Sequence, residues 1–369
     1  MKNKKIYILI RNLNRGGGLT KWVIDYYSKL TLYQELDITL VIEKDVKGYN
    51  IEDLPFKCIL LHLSNRRPLE QIKRWKELIS LMDKDTIVHF HTDNLVNIIP
   101  LFLFRNFKEK FIVQSHSNSN YLVKSNFFKS VLHNLGKKMV KKYNFSKMAI
   151  SDDAAKWLFD NEKYVLIENG IDIEKFAFSI EDRIQIRKKL KINENSRVYG
   201  HVGRFDDNKN QRKIISIFNE LQKKNENSYL LLIGNGPLKN KVEMKAKELG
   251  ILKKVKFLGL KKDVGKFLSS MDYFIFPSYY EGFGFALIEA QANGLNVLYS
   301  KTITKDVELL STTKNFDIED DDEKIANEIE KIRMNSFLYR QNAKYVVMEK
   351  GFSISSAVEE LHLFYLNLT

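Results

Sequence analysis

Short apolar runs alternate with stretches of helical periodicity along the whole chain. In the first half, Lys5–Ile10, Asp37–Ile42, Lys57–Leu61, Thr86–Phe90, Phe111–Gln114 and Lys147–Ile150 read as strands, with a short run near Tyr164–Ile167. Continuous apolar runs of this length suit strands of a parallel sheet covered on both faces. Helical periodicity lies between them, as at Thr20–Leu32, Leu69–Met82 and Phe127–Tyr143. Asn169–Phe178 is turn-rich and reads as a linker. The arrangement then restarts. Strands are expected at Arg197–Val202, Tyr229–Ile233, Lys256–Leu258, Tyr273–Phe276 and Val297–Tyr299, and helices near Gln211–Lys224, Lys239–Leu249, Val264–Ser269 and Phe285–Asn293. A last helix spans about Ser355–Leu366. The pattern predicts an α/β protein of two Rossmann-like, doubly wound domains, 1–172 and 173–353, with a ligand cleft at the carboxyl ends of their strands.

The richest chemistry follows the strand at Tyr273–Phe276, which Pro277 stops. Gly282 and Gly284 let backbone approach a ligand, and a helix starting near Phe285 offers free amides to an anion. Glu281 and Glu289 bracket that helix start. One acid can hold a sugar hydroxyl, the amides a diphosphate and the other acid a ribose diol. Glycines also follow the first strand, at Gly16-Gly17-Gly18, but Lys21 breaks a dinucleotide fingerprint. Glu319-Asp320-Asp321-Asp322-Glu323 contains an Asp-x-Asp, and it reads as the solvated start of an amphipathic helix.

Composition narrows the class. At 369 residues, 44% hydrophobic and 29% charged, the chain has the profile of a soluble globular protein of two domains. No apolar stretch approaches the ~20 residues of a membrane span, and the apolar run ending at Ile10 is too short for a signal-peptide core. Cys58 is alone, which fits a reducing cytoplasm. The net charge of +14 is one-sided: residues 1–150 hold 26 Lys and Arg against 13 Asp and Glu, the remainder 34 against 33. Lys124, Lys129, Lys137, Lys138, Lys141 and Lys142 alternate with Phe127, Phe128, Val131, Leu132, Leu135, Met139 and Val140. Such a basic amphipathic helix can lie on an anionic leaflet. The same pattern fits a helix with an apolar core face and merely solvated lysines.

The Glu-x7-Glu motif in its strand–loop–helix setting resembles the donor site of retaining GT-B glycosyltransferases of family 4 (glycosyltransferase group 1). The likeness is strongest to bacterial capsular and exopolysaccharide enzymes. It extends through Arg15-Gly16-Gly17-Gly18, Ser115-His116-Ser117-Asn118, Ile150–Phe159, Glu168-Asn169-Gly170-Ile171-Asp172, Gly200–Phe205, Lys209-Asn210 and Gly234-Asn235-Gly236-Pro237, in the shared order. The resemblance implies an acceptor-binding first domain, onto which a C-terminal helix of about 354–369 packs back, and a donor-binding second domain. It implies that Arg204 and Lys209 hold the diphosphate without a metal, and that Glu281 bonds the transferred sugar. Gly282, Phe283, Gly284 and Phe285 would line that sugar, amides near Leu287 and Ile288 would meet phosphate, and Glu289 would hold the ribose. Gly17 and Gly18 would border the diphosphate, Gly203, Gly234 and Asn235 the nucleotide, and Leu260 the base. His116 would stand near the transferred sugar and acceptor, with His91 and Asn118 on the acceptor side.

The expected activity is transfer of a hexose, with retention, from a UDP-sugar to a lipid-linked or growing oligosaccharide. No cofactor is expected, since the nucleotide sugar is itself a substrate. The expected location is the inner face of the cell membrane. Two rivals use some of the same features. A GT-B sugar-nucleotide epimerase would need no acceptor, and a non-catalytic basic protein binding membrane or nucleic acid would leave Glu281 and Glu289 without a purpose.

Overall fold

A computed structural model describes residues 3–14, 17–64, 67–117, 123, 125–281 and 283–368. The chain divides into two compact units, Met1–Gly170 with Ile354–Thr369, and Ile171–Ser353.

The first unit is built on strands β1 (Lys4–Asn14), β2 (Leu36–Lys47), β3 (Lys57–Leu60), β4 (Ile87–Thr92), β5 (Phe111–Ser115), β6 (Ser146–Ala149) and β7 (Val165–Leu166). They are ordered β3-β2-β1-β4-β5-β6-β7, every pairing parallel. The second unit repeats the winding with β8 (Arg197–Val202), β9 (Ser228–Ile233), β10 (Val255–Gly259), β11 (Tyr273–Phe276), β12 (Asn296–Ser300) and β13 (Thr313–Phe316). Their order is β10-β9-β8-β11-β12-β13, again all parallel. The chain reverses its direction of travel across each sheet between β1 and β4, and between β8 and β11. Such switch points are where doubly wound sheets bind ligands.

The central strands are apolar on both faces because helices cover both faces. Ile8, Leu9 and Ile10 of β1 are fully buried, as are Phe274, Ile275 and Phe276 of β11. The helices used below are α1 (Gly18–Leu30), α2 (Phe127–Lys142), α3 (Ile180–Leu190), α4 (Gln211–Lys224), α5 (Val264–Ser270), α6 (Phe285–Ala292), α7 (Phe337–Glu349) and α8 (Ile354–Asn367). The acidic run does open a helix, Asp322–Glu330, with Asp322 and Glu323 in its first turn.

Three local features depart from the sequence pattern. Residues 169–178 are not all loose linker: Ile173–Phe176 forms a helical turn whose Ile173 and Phe176 are buried in the second unit's core. Helix α3 lacks an apolar stripe because its inward positions include Arg183 and Arg187. Both guanidinium groups reach Asp272, at 2.8 Å each. With buried Arg340 of α7 they also bond the carbonyls of Leu268, Ser269, Ser270 and Met271. Those carbonyls lie at and just past the end of α5, so cations complete a buried helix terminus. Helix α2, finally, divides its apolar residues. His133, Gly136, Met139 and Val140 face inward, while Phe127, Phe128, Val131 and Leu135 are exposed. A Cβ at Gly136 would lie 2.5 Å from Leu95 Cβ, so this glycine sets how closely the helix docks. Lys137 and Lys141 pair with Asp160 and Glu162, both at 2.7 Å. Lys124 lies outside the described residues.

Helix α8 belongs to the first unit. The Lys4 ammonium donates to the carbonyls of Tyr365, Leu366 and Leu368 at 2.7–3.0 Å, closing the helix C-terminus with a cation. His362 bonds Glu35 at 3.1 Å and stacks on Tyr33.

Candidate active site

In the second unit the loops after β8, β9 and β11 meet at the carboxyl edge of the sheet. Gly234 adopts φ +137°, and a Cβ there would stand 1.9 Å from the Gly203 carbonyl oxygen. Only glycine permits that approach. The Gly203 and Gly234 amides bond the Ile233 and Gly259 carbonyls at 3.0 Å. Asn235, exposed, accepts from the Phe205 amide through its carbonyl. Buried His201 supports the same loop: Nδ1 lies 2.9 Å from the Ile275 carbonyl, and Gln211, beside Nε2, donates to the Arg204 carbonyl. His201 is therefore a structural residue beneath the site.

Arg204 and Lys209 leave this platform differently. The Arg204 side chain is 65% exposed, its nearest carboxylate being Asp206 at 3.8 Å. The Lys209 ammonium lies 2.5 Å from Glu281 Oε1 and 4.7 Å from the centre of the Phe276 ring. The 72-residue separation of Lys209 and Glu281 is closed by Asn208. Its side chain accepts from the Tyr280 amide at 3.1 Å and donates to the Tyr280 carbonyl at 3.0 Å, while its own carbonyl accepts from the Tyr279 amide. Asn208 is a positioning residue that the spacing of motifs does not disclose, because its partners are backbone groups.

Helix α6 starts from Gly284, at φ 75°. Phe283 and Phe285 pack edge to face at 4.7 Å, half-buried at the helix mouth. Glu289 is only 5% exposed in the second turn, between Ile288 and Ala290. Leu287 and Ile288 differ from expectation. Their side chains are core, and both amides donate to the Gly284 carbonyl, at 2.8 and 3.4 Å. The helix's own first turn thus uses the donors expected to meet phosphate, since an amide at the fourth position already closes an internal bond. Leu260, beyond β10, is exposed. Gly282 lies outside the described residues.

In the first unit Gly17 and Gly18 open α1. The Gly17 amide donates to the Asn14 carbonyl at 3.2 Å, and a Cβ at Gly18 would meet nothing within 4 Å. The local packing does not require glycine at Gly18. Arg15, Gly16 and Asn118 lie outside the described residues. His116 follows β5, half-buried, its amide bonded to the Thr92 carbonyl and its ring edge-on to Trp22 at 5.0 Å. His116 Nε2 is 2.8 Å from His91 Nδ1, and His91 Nε2 is 2.8 Å from the Tyr27 hydroxyl. That hydroxyl also meets Tyr365 at 2.8 Å and His89 at 3.0 Å. Burial lowers the His116 pKa to about 3 and those of His89 and His91 well below the usual histidine range, so all three rings are neutral. His89 and His91 share a strand face, as their alternation predicts, but both enter one network, together with Tyr27 and Tyr365.

Residues 182–346 match the model of the family described as glycosyl transferases group 1. The putative glycosyltransferase EpsF of Bacillus subtilis is 26% identical over 83% of this chain and 81% of its own length. The capsular polysaccharide biosynthesis glycosyltransferase CapH of Staphylococcus aureus is 25% identical over 80% of this chain and 81% of its own. Among solved structures, Anabaena Alr3699/HepE, crystallised with UDP and glucose, superposes with a TM-score of 0.76 at 16% identity, covering 99% of this chain and all of that one. The fold is GT-B, and the second unit carries the group 1 domain.

Proposed function

We propose that this group 1 glycosyltransferase moves a hexose from a UDP-sugar, with retained configuration, to a lipid-linked or growing oligosaccharide in capsular or exopolysaccharide synthesis. One observation carries the donor half of that reading: Lys209 and Glu281 are paired, and Arg204 exposed, on loops braced at the carboxyl edge of the second sheet. A departing diphosphate needs preplaced cations, and Arg204 offers a planar fork for its oxygens. Glu281 holds Lys209 in position before the donor arrives, then exchanges that contact for a sugar hydroxyl as phosphate takes the ammonium. Glu289, buried in the next helix, is assigned to the ribose. No metal and no cofactor is invoked, because the arginine and lysine supply the charge. Uracil is preferred as the base, and HepE, of the same fold, holds UDP.

The glycosidic bond breaks through an oxocarbenium-like transition state. No carboxylate is assigned as a covalent nucleophile, so attack comes from the leaving-group face, assisted by the departing phosphate. On the first unit, His116, with His91 behind it, is assigned to the acceptor side. Open space at Gly18 supports a close backbone approach by the ligand.

A lipid-linked acceptor calls for a membrane-facing surface, and α2 is assigned to that role. Phe127, Phe128, Val131 and Leu135 are exposed, the two phenylalanines 77% each, and Lys138 and Lys142 continue their stripe toward the helix end. Apolar residues flanked by lysines suit the boundary of an anionic leaflet. No helix among the described residues is long and apolar enough to cross a membrane.

The test is nucleotide release from UDP-glucose, UDP-galactose, UDP-N-acetylglucosamine and GDP-mannose, each with EDTA present. One UDP-sugar is expected to turn over, with Glu289→Ala reducing the rate at least ~100-fold. Unchanged turnover by Glu289→Ala at subsaturating donor would refute the donor site as assigned.

A further inference from the structure

We infer that the second unit carries a further sugar-binding subsite, at the start of α4, which holds one neutral hexose residue of the growing glycan. This role rests on the reading that the enzyme extends a polysaccharide, and the subsite is separate from the groups assigned to the nucleotide sugar.

A cavity of about 120 Å³ lies where the start of α4 meets the start of the helix Lys239–Glu248. The loops after β8 and β9 are tied together beside it. The Leu238 amide donates to the Phe205 carbonyl and the Phe205 amide to the Asn235 carbonyl, both at 3.1 Å. A Cβ at Gly236 would lie 2.4 Å from that Phe205 carbonyl oxygen, so only glycine lets the loops come this close. The walls are therefore set before a ligand arrives.

One buried side chain points to an occupant. Gln211 lines the cavity and is 1% exposed. Its amide orientation is fixed from two sides. Nε2 donates to the Arg204 carbonyl at 2.7 Å. It also lies 3.4 Å from His201 Nε2, which accepts because His201 Nδ1 donates to the Ile275 carbonyl. Both amide hydrogens are thus engaged. Oε1 is left over, with no hydrogen-bond partner among the described residues. A buried acceptor of this kind calls for a donor. Helix α4 supplies the converse need: its 14 residues start from Asn210, at φ 50° and without a side-chain cap, so its first amides call for acceptors.

The surrounding charges select the chemistry. Asp206 and Asp207 line the cavity, and so does Arg212, 3.5 Å from Asp207. An anion would meet the two carboxylates, and a cation would meet the guanidinium and the positive end of α4. A hydroxyl donates and accepts at once, so a neutral ring carrying several of them serves both kinds of partner. Leu238, Val242 and Tyr279 complete the wall. Their apolar surface suits the C–H face of a pyranose, and the few convergent polar groups suit its hydroxyls. The space holds one such ring and is too small for a nucleotide. The turn that builds the subsite also carries a donor-site cation: Asp206 Oδ1 accepts from the amide of Lys209, whose ammonium faces Glu281.

Saturation-transfer NMR on the full chain tests the subsite, with UDP added to fill the nucleotide site. The probes are the methyl α-glycosides of glucose, galactose and N-acetylglucosamine. At least one glycoside should receive saturation from the wild-type chain. Tyr279→Ala, which removes the aromatic wall, and Leu238→Trp, which fills the cavity, should each weaken its binding about fivefold or more, while UDP affinity stays within about twofold. Saturation of none of the three glycosides, or wild-type glycoside binding by either variant with an unaltered circular dichroism spectrum, would overturn the subsite. The donor assignment is judged separately in the same samples. A chain that binds a glycoside at this cavity but not UDP keeps the subsite and loses the donor site, and one that binds UDP but no glycoside loses only the subsite.

Discussion

The two units share one winding but bury opposite kinds of polar chemistry. Beneath the first sheet's carboxyl edge lies a neutral chain of imidazoles and phenols, His116, His91, Tyr27, Tyr365 and His89. Its members satisfy one another by sharing single protons. The second unit buries charge instead: Arg183, Arg187 and Arg340 gather around Asp272 and the end of α5, the last of them with its pKa lowered by burial to about 9. One interior can be reordered by moving protons, and the other is clamped by ions that cannot leave. A common fold therefore dictates where a site forms, at the strand ends, while the buried polar groups beneath it decide how rigid that site is.

The largest effect expected is at the clamp. Asp272→Asn leaves buried guanidinium groups without a counter-charge and should cost about 3–5 kcal/mol. All three tryptophans, Trp22, Trp75 and Trp157, belong to the first unit. Their fluorescence should keep its wild-type denaturation midpoint while far-UV circular dichroism reports early loss of the second unit. Coincident early transitions would mean that the units are not separately stabilised. Arg204→Ala should divide function from stability within the second unit. Turnover is expected to fall ~100-fold, about 2.7 kcal/mol in the barrier, while stability stays within ~0.5 kcal/mol because this arginine is exposed.

Acid should single out the first unit. His89, His91, His116 and His133 have folded pKa values lowered by burial, the last two to about 3 and about 4, whereas the second unit has only His201, lowered to about 3, among its described histidines. A histidine with a lowered folded pKa is protonated first in the unfolded chain. Stability is therefore intact above pH ~6.5 and lost as pH falls toward the folded values, by up to ~1.4 kcal/mol per pH unit per histidine. Glu43, raised by burial to about 7, and Asp93, also raised, act in the reverse sense and offset part of the loss. Tryptophan fluorescence should show unfolding midpoints falling faster between pH 6.5 and ~4.5 than those of the second unit. The smallest effect on stability belongs to α2: Phe127→Ser with Phe128→Ser should alter it by less than ~0.5 kcal/mol. The same pair should reduce sedimentation with vesicles containing phosphatidylglycerol, and undiminished sedimentation would remove α2 from the membrane reading.

What could be read from sequence follows from the same contrast. Strands such as Phe274-Ile275-Phe276 announce themselves because both faces are apolar. Edge strand β13, Thr313–Phe316, does not, since Lys314 and Asn315 are exposed. Helix α3 passes for surface because the residues it buries include arginines, whose partner Asp272 lies 85 residues beyond Arg187. At the site, the Glu281–Glu289 motif was legible as a local pattern of loop and helix. The pairing of Lys209 with Glu281 needed Asn208 to close it, and the tyrosines behind His116 come from α1 and α8, too far apart for any motif to join. Periodicity groups the apolar residues of α2 together, yet with the helix docked closely at Gly136 four of them face outward.

The most direct measurement is calorimetric titration of UDP, with GDP as comparison, into the chain in the presence of EDTA, repeated for Arg204→Ala and Glu289→Ala. The account predicts one UDP per chain, weaker GDP, and at least tenfold weaker UDP binding in each variant, as loss of a charge-assisted contact implies. Absence of binding by either nucleotide, or UDP affinity indifferent to both substitutions, would contradict it.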